Sequence, residues 1–283
     1  MAMKMSGLKS IKGQVKIKNK NTNNNTIIQN PNVYSGSHDN TVKKIDSSGN
    51  EIWTFTGHTD RLQSVAVDAS GNVYSGSADD TVKKLDSSGN EIWSFTGHTN
   101  GVNSIAVDAN GNVYSGSGDF AGSTSNKVKK LDSSGNELWS FNGHTDRVFS
   151  VAVDSSGNVY SGSQDDTVKK IDSSGNIVWT FTGHTDRVFS VAVDSSGNVY
   201  SGSQDNTVKK LDLSGNELWT FDDPSAVFSI AVDASGNVYS ASWDDTDKKI
   251  DSSGNIVWTF TGHFGAIWSR IAVDPGLYPI FWQ

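Results

Sequence analysis

The chain has no cysteine, which excludes a disulfide framework, cysteine-ligated zinc or iron–sulfur centres, and thiol nucleophiles. No stretch approaches the roughly 20 consecutive apolar residues of a membrane-spanning helix. The first twenty residues, MAMKMSGLKSIKGQVKIKNK, lack the apolar run of a secretory signal. The sequence therefore predicts neither membrane insertion nor export through a cleaved leader. Phosphate-binding loops, dinucleotide fingerprints and zinc motifs are also missing. The only histidines are His38 and five that each follow a glycine. Catalysis has little to stand on, so no enzyme, cofactor or metal is expected.

Charge is distributed unevenly. Residues 1 to 30 hold six lysines and no acid, while the whole chain carries a net charge of −8, leaving the remainder at −14. An acidic body argues against a nucleic-acid-binding domain, whose affinity comes largely from neutralised phosphates.

What is present is a repeat. Tyr34, Tyr74, Tyr114, Tyr160, Tyr200 and Tyr239 each sit in a VYSGS-like run at spacings of 40, 40, 46, 40 and 39, and Trp53, Trp93, Trp139, Trp179, Trp219 and Trp258 repeat at 40, 46, 40, 40 and 39. In one unit VFSVAVD, VYSGS, TVKKLD and ELWTF are separated by SSGN, QDN and LSGN. Short runs rich in Val, Tyr, Thr and Trp between Gly, Asn and Asp turns read as four antiparallel strands, here a to d. Glycine supplies the positive φ of a hairpin, and the aspartate ahead of it can accept from turn amides. A lone four-stranded sheet cannot bury both faces, so the units must stack. The expected fold is all-β, a β-propeller of four-stranded antiparallel blades.

The stretch GHTDRVFSVAVDSSGNVYSGSQDN resembles the WD-repeat, and the resemblance covers residues 33 to 273. Two departures mark it: Ile or Leu replaces the tryptophan of the closing Trp-Asp, and Asp222-Asp223 replaces Gly-His before the sixth unit. Tryptophan has moved into strand d, where GNELW resembles quinoprotein-type propeller repeats. Near-identical copies suggest recent amplification, of a bacterial or phage type. The resemblance implies an internal hydrogen-bonded network of His58, His98, His144, His184 and His263 with turn aspartates such as Asp79, Asp165 and Asp205 and a strand-b serine, Ser201 or Ser203 in one unit. Its role would be structural.

Six b-c-d sets precede one unpaired a-type strand, Ile267 to Val273. Six blades are favoured, closed by that C-terminal strand pairing with the N-terminal blade. Seven remain open, built from the flanking residues. The domain reading is a basic, Asn-rich arm at 1–32, a propeller at 33–273 and a tail at 274–283. In strand c every unit has a Lys-Lys pair, and alternation sends one lysine of each between blades with its stem buried. The DSSGN turns each offer one carboxylate, too few for calcium.

The copies differ mainly at two places. Before the b-c turn aspartate stand His38, Ala78, Gly118, Gln164, Gln204 and Trp243. Entering strand a stand Gln63, Asn103, Phe149, Phe189, Phe228 and Trp268, with Arg147 and Arg187 two residues ahead of the first two phenylalanines. The b-c and d-a loops lie at one end of a blade, so both sets should ring one face, the partner-binding face that the resemblance implies. Trp243, Phe228, Trp268 and Phe264 should cluster there, and the insertion 118–126 places Phe120 on the same side. The expected function is a non-enzymatic binding or assembly scaffold with a protein partner, in the cytoplasm or in a virion-like particle. A lectin that stacks a glycan on Trp243 and Trp268 is the alternative.

Overall fold

A computed structural model of the chain describes residues 32–118, 125–263 and 271. Among them there is no helix; the strands form six antiparallel sheets, five of four strands and one of three. Sheet 1 holds strands b, c and d only (Val33–Gly36, Val42–Ile45 and Glu51–Phe55), as expected from a first set without an a strand. Sheets 2 to 6 open with strands a at Leu62–Val67, Val102–Val107, Val148–Val153, Val188–Val193 and Val227–Val232. These a strands lie beside one another from sheet to sheet, which places them innermost and strand d outermost.

The turns explain the hairpins. In Asp46-Ser-Ser-Gly-Asn50, the Asp46 carboxylate accepts from the Ser48 and Asn50 amides and from Asn50 Nδ2, while Gly49 takes φ +88°. The same lattice recurs at each a-b and c-d turn. At the b-c turns the left-handed residue is Asn or Asp, for example Asp166 at φ 65°, a conformation these side chains tolerate.

The core lies between successive sheets. Ala152, Tyr160 and Val168 of sheet 4 pack against Val188, Val191, Val199 and Leu211 of sheet 5, and four similar clusters join the other neighbours. In sheets 2 to 6 the strand-b tyrosine hydroxyl donates to the a-b turn aspartate, as Tyr160 does to Asp154 at 3.0 Å. Each strand-d indole reaches the next sheet: Trp53, Trp93, Trp139, Trp179 and Trp219 donate Nε1–H to a c-d turn carbonyl there. Both lysines of most strand-c pairs are buried. Lys130 Nζ reaches the Ser173 carbonyl of the next sheet and lies 5.3 Å from the Tyr114 ring, while Lys129 pairs with Glu137 at 2.8 Å.

Inner strands are clasped by serines. Ser64, Ser104, Ser150 and Ser190 each accept, at 3.1–3.2 Å, from a strand-a amide of the next sheet. Ser229 of sheet 6 accepts in the same way from Ile271 N at 2.9 Å. Ile271 thus stands where the next inner strand belongs. The remainder of the expected closing strand, and the segments 1–31 and 274–283, lie outside the described residues.

Candidate functional site

The variable residues entering strand a owe their direction to a β-bulge. Val148 pairs with Ser163 and Ser150 with Gly162, so Phe149 is an extra residue with no opposite number. The same shift isolates Gln63, Asn103, Phe189 and Phe228. A bulge re-aims its side chain out of the alternating pattern. Here it turns successive copies toward one another: Phe149 and Phe189 have ring centroids 5.2 Å apart, Phe189 and Phe228 stack at 4.6 Å, and Phe228 meets Trp243 at 4.4 Å. Four aromatic rings from sheets 4, 5 and 6 form one ladder along the inner rim of the b-c and d-a loop face.

The ladder differs from a row of exposed rings. The three phenylalanines are half-buried and Trp243 is 37% exposed. Arg147, expected as a contact residue, is instead buried: its guanidinium lies 5.0 Å from the Phe149 ring and donates to Asn103 of sheet 3. Asn103 in turn bridges to the Gly118 and Val148 carbonyls. Arg187 is half-buried; in the sheet before it the position matching Asn103 is Phe149, which cannot accept from its guanidinium. His38 is exposed in sheet 1, and among the described residues it touches none of the ladder rings. Phe120, Phe264 and Trp268 fall outside the described residues.

Behind this face the histidine network forms in three sheets. His58 bonds Ser75 and Asp79, His144 bonds Ser161 and Asp165, and His184 bonds Ser201 and Asp205, with Nε2 to serine at 2.7–2.8 Å and Nδ1 to aspartate at 2.8 Å. The serine of the 201/203 pair is therefore Ser201, while Ser203 bonds the Asp186 carbonyl at 3.0 Å. The spacing imitates a hydrolytic triad, but all three serines are wholly buried, where no substrate reaches them. His98 keeps Ser115 at 2.7 Å, but among the described residues nothing partners its Nδ1.

Two expected members behave otherwise. His263 bonds Asp247 of its own sheet at 2.9 Å and is 40% exposed, because Asp247 replaces a valine that is buried in every other strand c. In sheet 6 Asp223 stands in for histidine. Its carboxylate, wholly buried, meets Lys248 at 2.9 Å and accepts from Ser242 at 2.8 Å; Lys248 also reaches Asp244 at 2.8 Å. Lys248 turns inward to Asp223, while Ile256 stands where a glutamate holds its counterparts Lys43, Lys83, Lys129 and Lys209; in sheet 4, where Ile177 also replaces that glutamate but no acid matches Asp223, Lys169 stays on Thr180.

These environments fix the protonation of the network. Burial lowers His58 and His144 despite their aspartate partners, and burial together with Lys129 and Lys127 takes His98 down to about 3. Burial alone would raise Asp165, yet the bonds from His144, Thr167 and the Thr145 amide hold it well below the usual carboxylate range. His58, His98 and His144 are neutral and Asp165 is charged at pH 7. Unfolded histidine takes up protons near pH 6.5, whereas folded His98 does so only near 3. Stability is therefore fully present above pH 6.5 and falls as the pH drops toward 3, by up to about 1.4 kcal/mol per pH unit for each withheld proton. Urea titrations from pH 7 to 4 should show this loss, and His98→Gln should flatten it. An unchanged slope in that variant would contradict the assignment.

A second concavity lies at the opposite end. A cavity of about 570 Å³ is lined by the a-b turns of sheets 3, 4 and 5, with Asp108, Asp154 and Asp194, and by Lys130 and Ile271. Its aspartates are saturated by turn amides, asparagine and tyrosine. The described residues gather no set of three His, Asp or Glu side chains able to hold a metal ion. Comparing the copies could not point to this cavity, since its turns are among the least variable parts of the repeat.

Two consecutive stretches, residues 38–124 and 124–246, match the family described as outer membrane protein assembly factor BamB. The chain belongs to this family of quinoprotein-type propeller repeats. The match favours the GNELW side of the resemblance, and the tryptophan of that motif is the residue that bonds each sheet to the next. The match runs from the b-c turn of sheet 1 to the b-c turn of sheet 6 and includes the whole aromatic ladder. No curated protein matches the chain.

Proposed function

We propose that the protein is a non-enzymatic propeller that works as a protein-binding scaffold, with the loop face over sheets 4 to 6 as its contact surface. The observation that carries this reading is the ladder of Phe149, Phe189, Phe228 and Trp243: four half-buried or exposed rings in one contiguous group, on loops held by a rigid framework. Large aromatics at the centre of a patch are the residues that dominate interface energetics. The family's description as an assembly factor agrees with a scaffold role. Stacking within the ladder turns the Phe189 and Phe228 faces toward each other at an interplanar angle of 19°. That arrangement suits a polypeptide partner better than a glycan, which stacks on open ring faces. A place in the cytoplasm or in a larger particle, phage or bacterial, extends the same reading. It is tested by the native mass of the chain in host extract against the purified monomer: a larger species in extract that Phe189→Ser abolishes is expected, and a monomer in extract would overturn it.

The scaffold is rigid, on this reading, because six blades close into a ring, the strand at Ile267 to Val273 completing the first sheet. Ile271 on Ser229 supports it, as does the absence of an a strand in sheet 1. Deletion of residues 266 to 283 is expected to lower the melting temperature and promote association through the open edge. A monomer with an unchanged transition would contradict closure.

A further inference from the structure

Aromatic and acidic character coincide on one sector of the loop face. In sheets 4 to 6 the described loops 142–147, 164–167, 182–187, 204–206, 223–226 and 243–246 carry eight aspartates against two arginines, one of them the buried Arg147; Asp165, Asp205 and Asp223 are buried behind the face and Asp244 pairs with Lys248, which leaves Asp146, Asp166, Asp186 and Asp245 partly exposed on it. In the two preceding sheets the loops 56–61, 78–81, 96–101 and the described part of the fourth carry three aspartates, Asp79 among them buried on His58, against Arg61 and Lys127. Asp166 and Asp186, from adjacent sheets, illustrate the crowding: burial and the neighbouring Asp186 charge raise the Asp166 carboxyl. Such a surface seeks a ligand that brings positive charge together with apolar side chains.

The chain contains a segment of that chemistry. Between residues 4 and 20 six lysines alternate with Met5, Leu8, Ile11, Val15 and Ile17, with no acid among them. The place where this segment joins the body is equally informative. Strand b of sheet 1 runs from the a-b turn end at Val33 toward the b-c turn at Ser37, so the arm leaves the end opposite the ladder. Each copy thus carries a basic, apolar-studded arm at one end and an acidic, aromatic-lined face at the other.

We propose that the face over sheets 4 to 6 receives residues 4–20 of a second copy, joining chains head to tail. The inference rests on the reading of this face as a partner surface. Because the two contact surfaces differ, the contact is heterologous, and it propagates as an open chain or closes as a larger ring. Charge brings the arm in and makes the association salt-sensitive, while the ladder holds its apolar side chains.

The test is sedimentation velocity of the full-length chain over a range of concentrations at low and high salt. Association at low salt that is reversed by high salt is expected. It should be lost on deletion of residues 1 to 30 and weakened about tenfold or more by Phe189→Ser, the loss of one central contact residue. The double variant Asp166→Asn with Asp186→Asn alters charge at nearly constant shape, and it should weaken association equally if Phe189→Ser fails to fold. A chain that stays monomeric at every concentration, an assembly indifferent to these variants, or a monomer whose arm lysines cross-link to its own Asp166 would each overturn the proposal. None of those results touches the reading of the face as a partner surface, which the comparison of extract with purified chain decides.

Discussion

Gly162→Ala is expected to destabilise the protein by roughly 2 kcal/mol, within the usual range for an overpacked core. A Cβ at Gly162 would stand 2.7 Å from Val188 Cγ1 and 3.0 Å from Val191 Cγ1, both on the inner strand of the next sheet. Neither valine can retreat, since both are fully buried in the core between sheets 4 and 5. The same geometry holds at Gly76, Gly116 and Gly202, where the nearest atoms lie at 2.7–2.8 Å. Ordinarily glycine to alanine in a strand is favourable through the unfolded chain, so a loss measures the close approach of the sheets. Sheet 6 supplies the control. There Ala241 already occupies the position and is buried, facing the junction with the segment around Ile271. Ala241→Gly should therefore cost less than 1 kcal/mol. Equal denaturation midpoints for Gly162→Ala and the parent protein would refute the packing argument.

His144→Leu is expected to cost about 3 kcal/mol, because it strands a nearly buried carboxylate. Asp165 would lose its 2.8 Å bond to Nδ1 and retain the Thr145 amide and Thr167, while Ser161 would lose its only side-chain partner. His263→Leu should cost under 1 kcal/mol, since its pair with Asp247 is largely exposed. The difference separates a framework histidine from a surface one within a single motif. Comparable losses at the two positions would mean that the buried network contributes little.

Much of this architecture was legible in the sequence because the aromatic spacing counts the sheets and the Asp-x-x-Gly-Asn turns mark the hairpins. The three-stranded first sheet and the buried lysine stems follow the same periodic logic, and the histidine–aspartate–serine bonds of three sheets are what the WD-repeat resemblance implies. What escaped depends on register or on a single substitution. Phe149, Phe189 and Phe228 could be seen to vary, but the bulge that brings them into contact arises from the pairing of Val148 with Ser163 and Ser150 with Gly162. Arg147 looked like a surface residue until Asn103, 44 positions away, drew it inward. His263 left the network because one valine became Asp247. The outer strands hide a comparable feature: Ile52, Ile92 and Leu138 are bulged residues about half exposed, and such bulges disrupt an edge that would otherwise invite pairing.

The central claim is that partners meet the loop face of sheets 4 to 6. It is tested most directly by placing a photo-crosslinking residue at position 189, within the ladder, or at position 87, in a c-d turn at the opposite end, and irradiating host extract. Cross-linked species from position 189 and none from position 87 are predicted. Cross-links from position 87 with none from position 189 would contradict the account and direct attention to the turn end, where the 570 Å³ cavity opens.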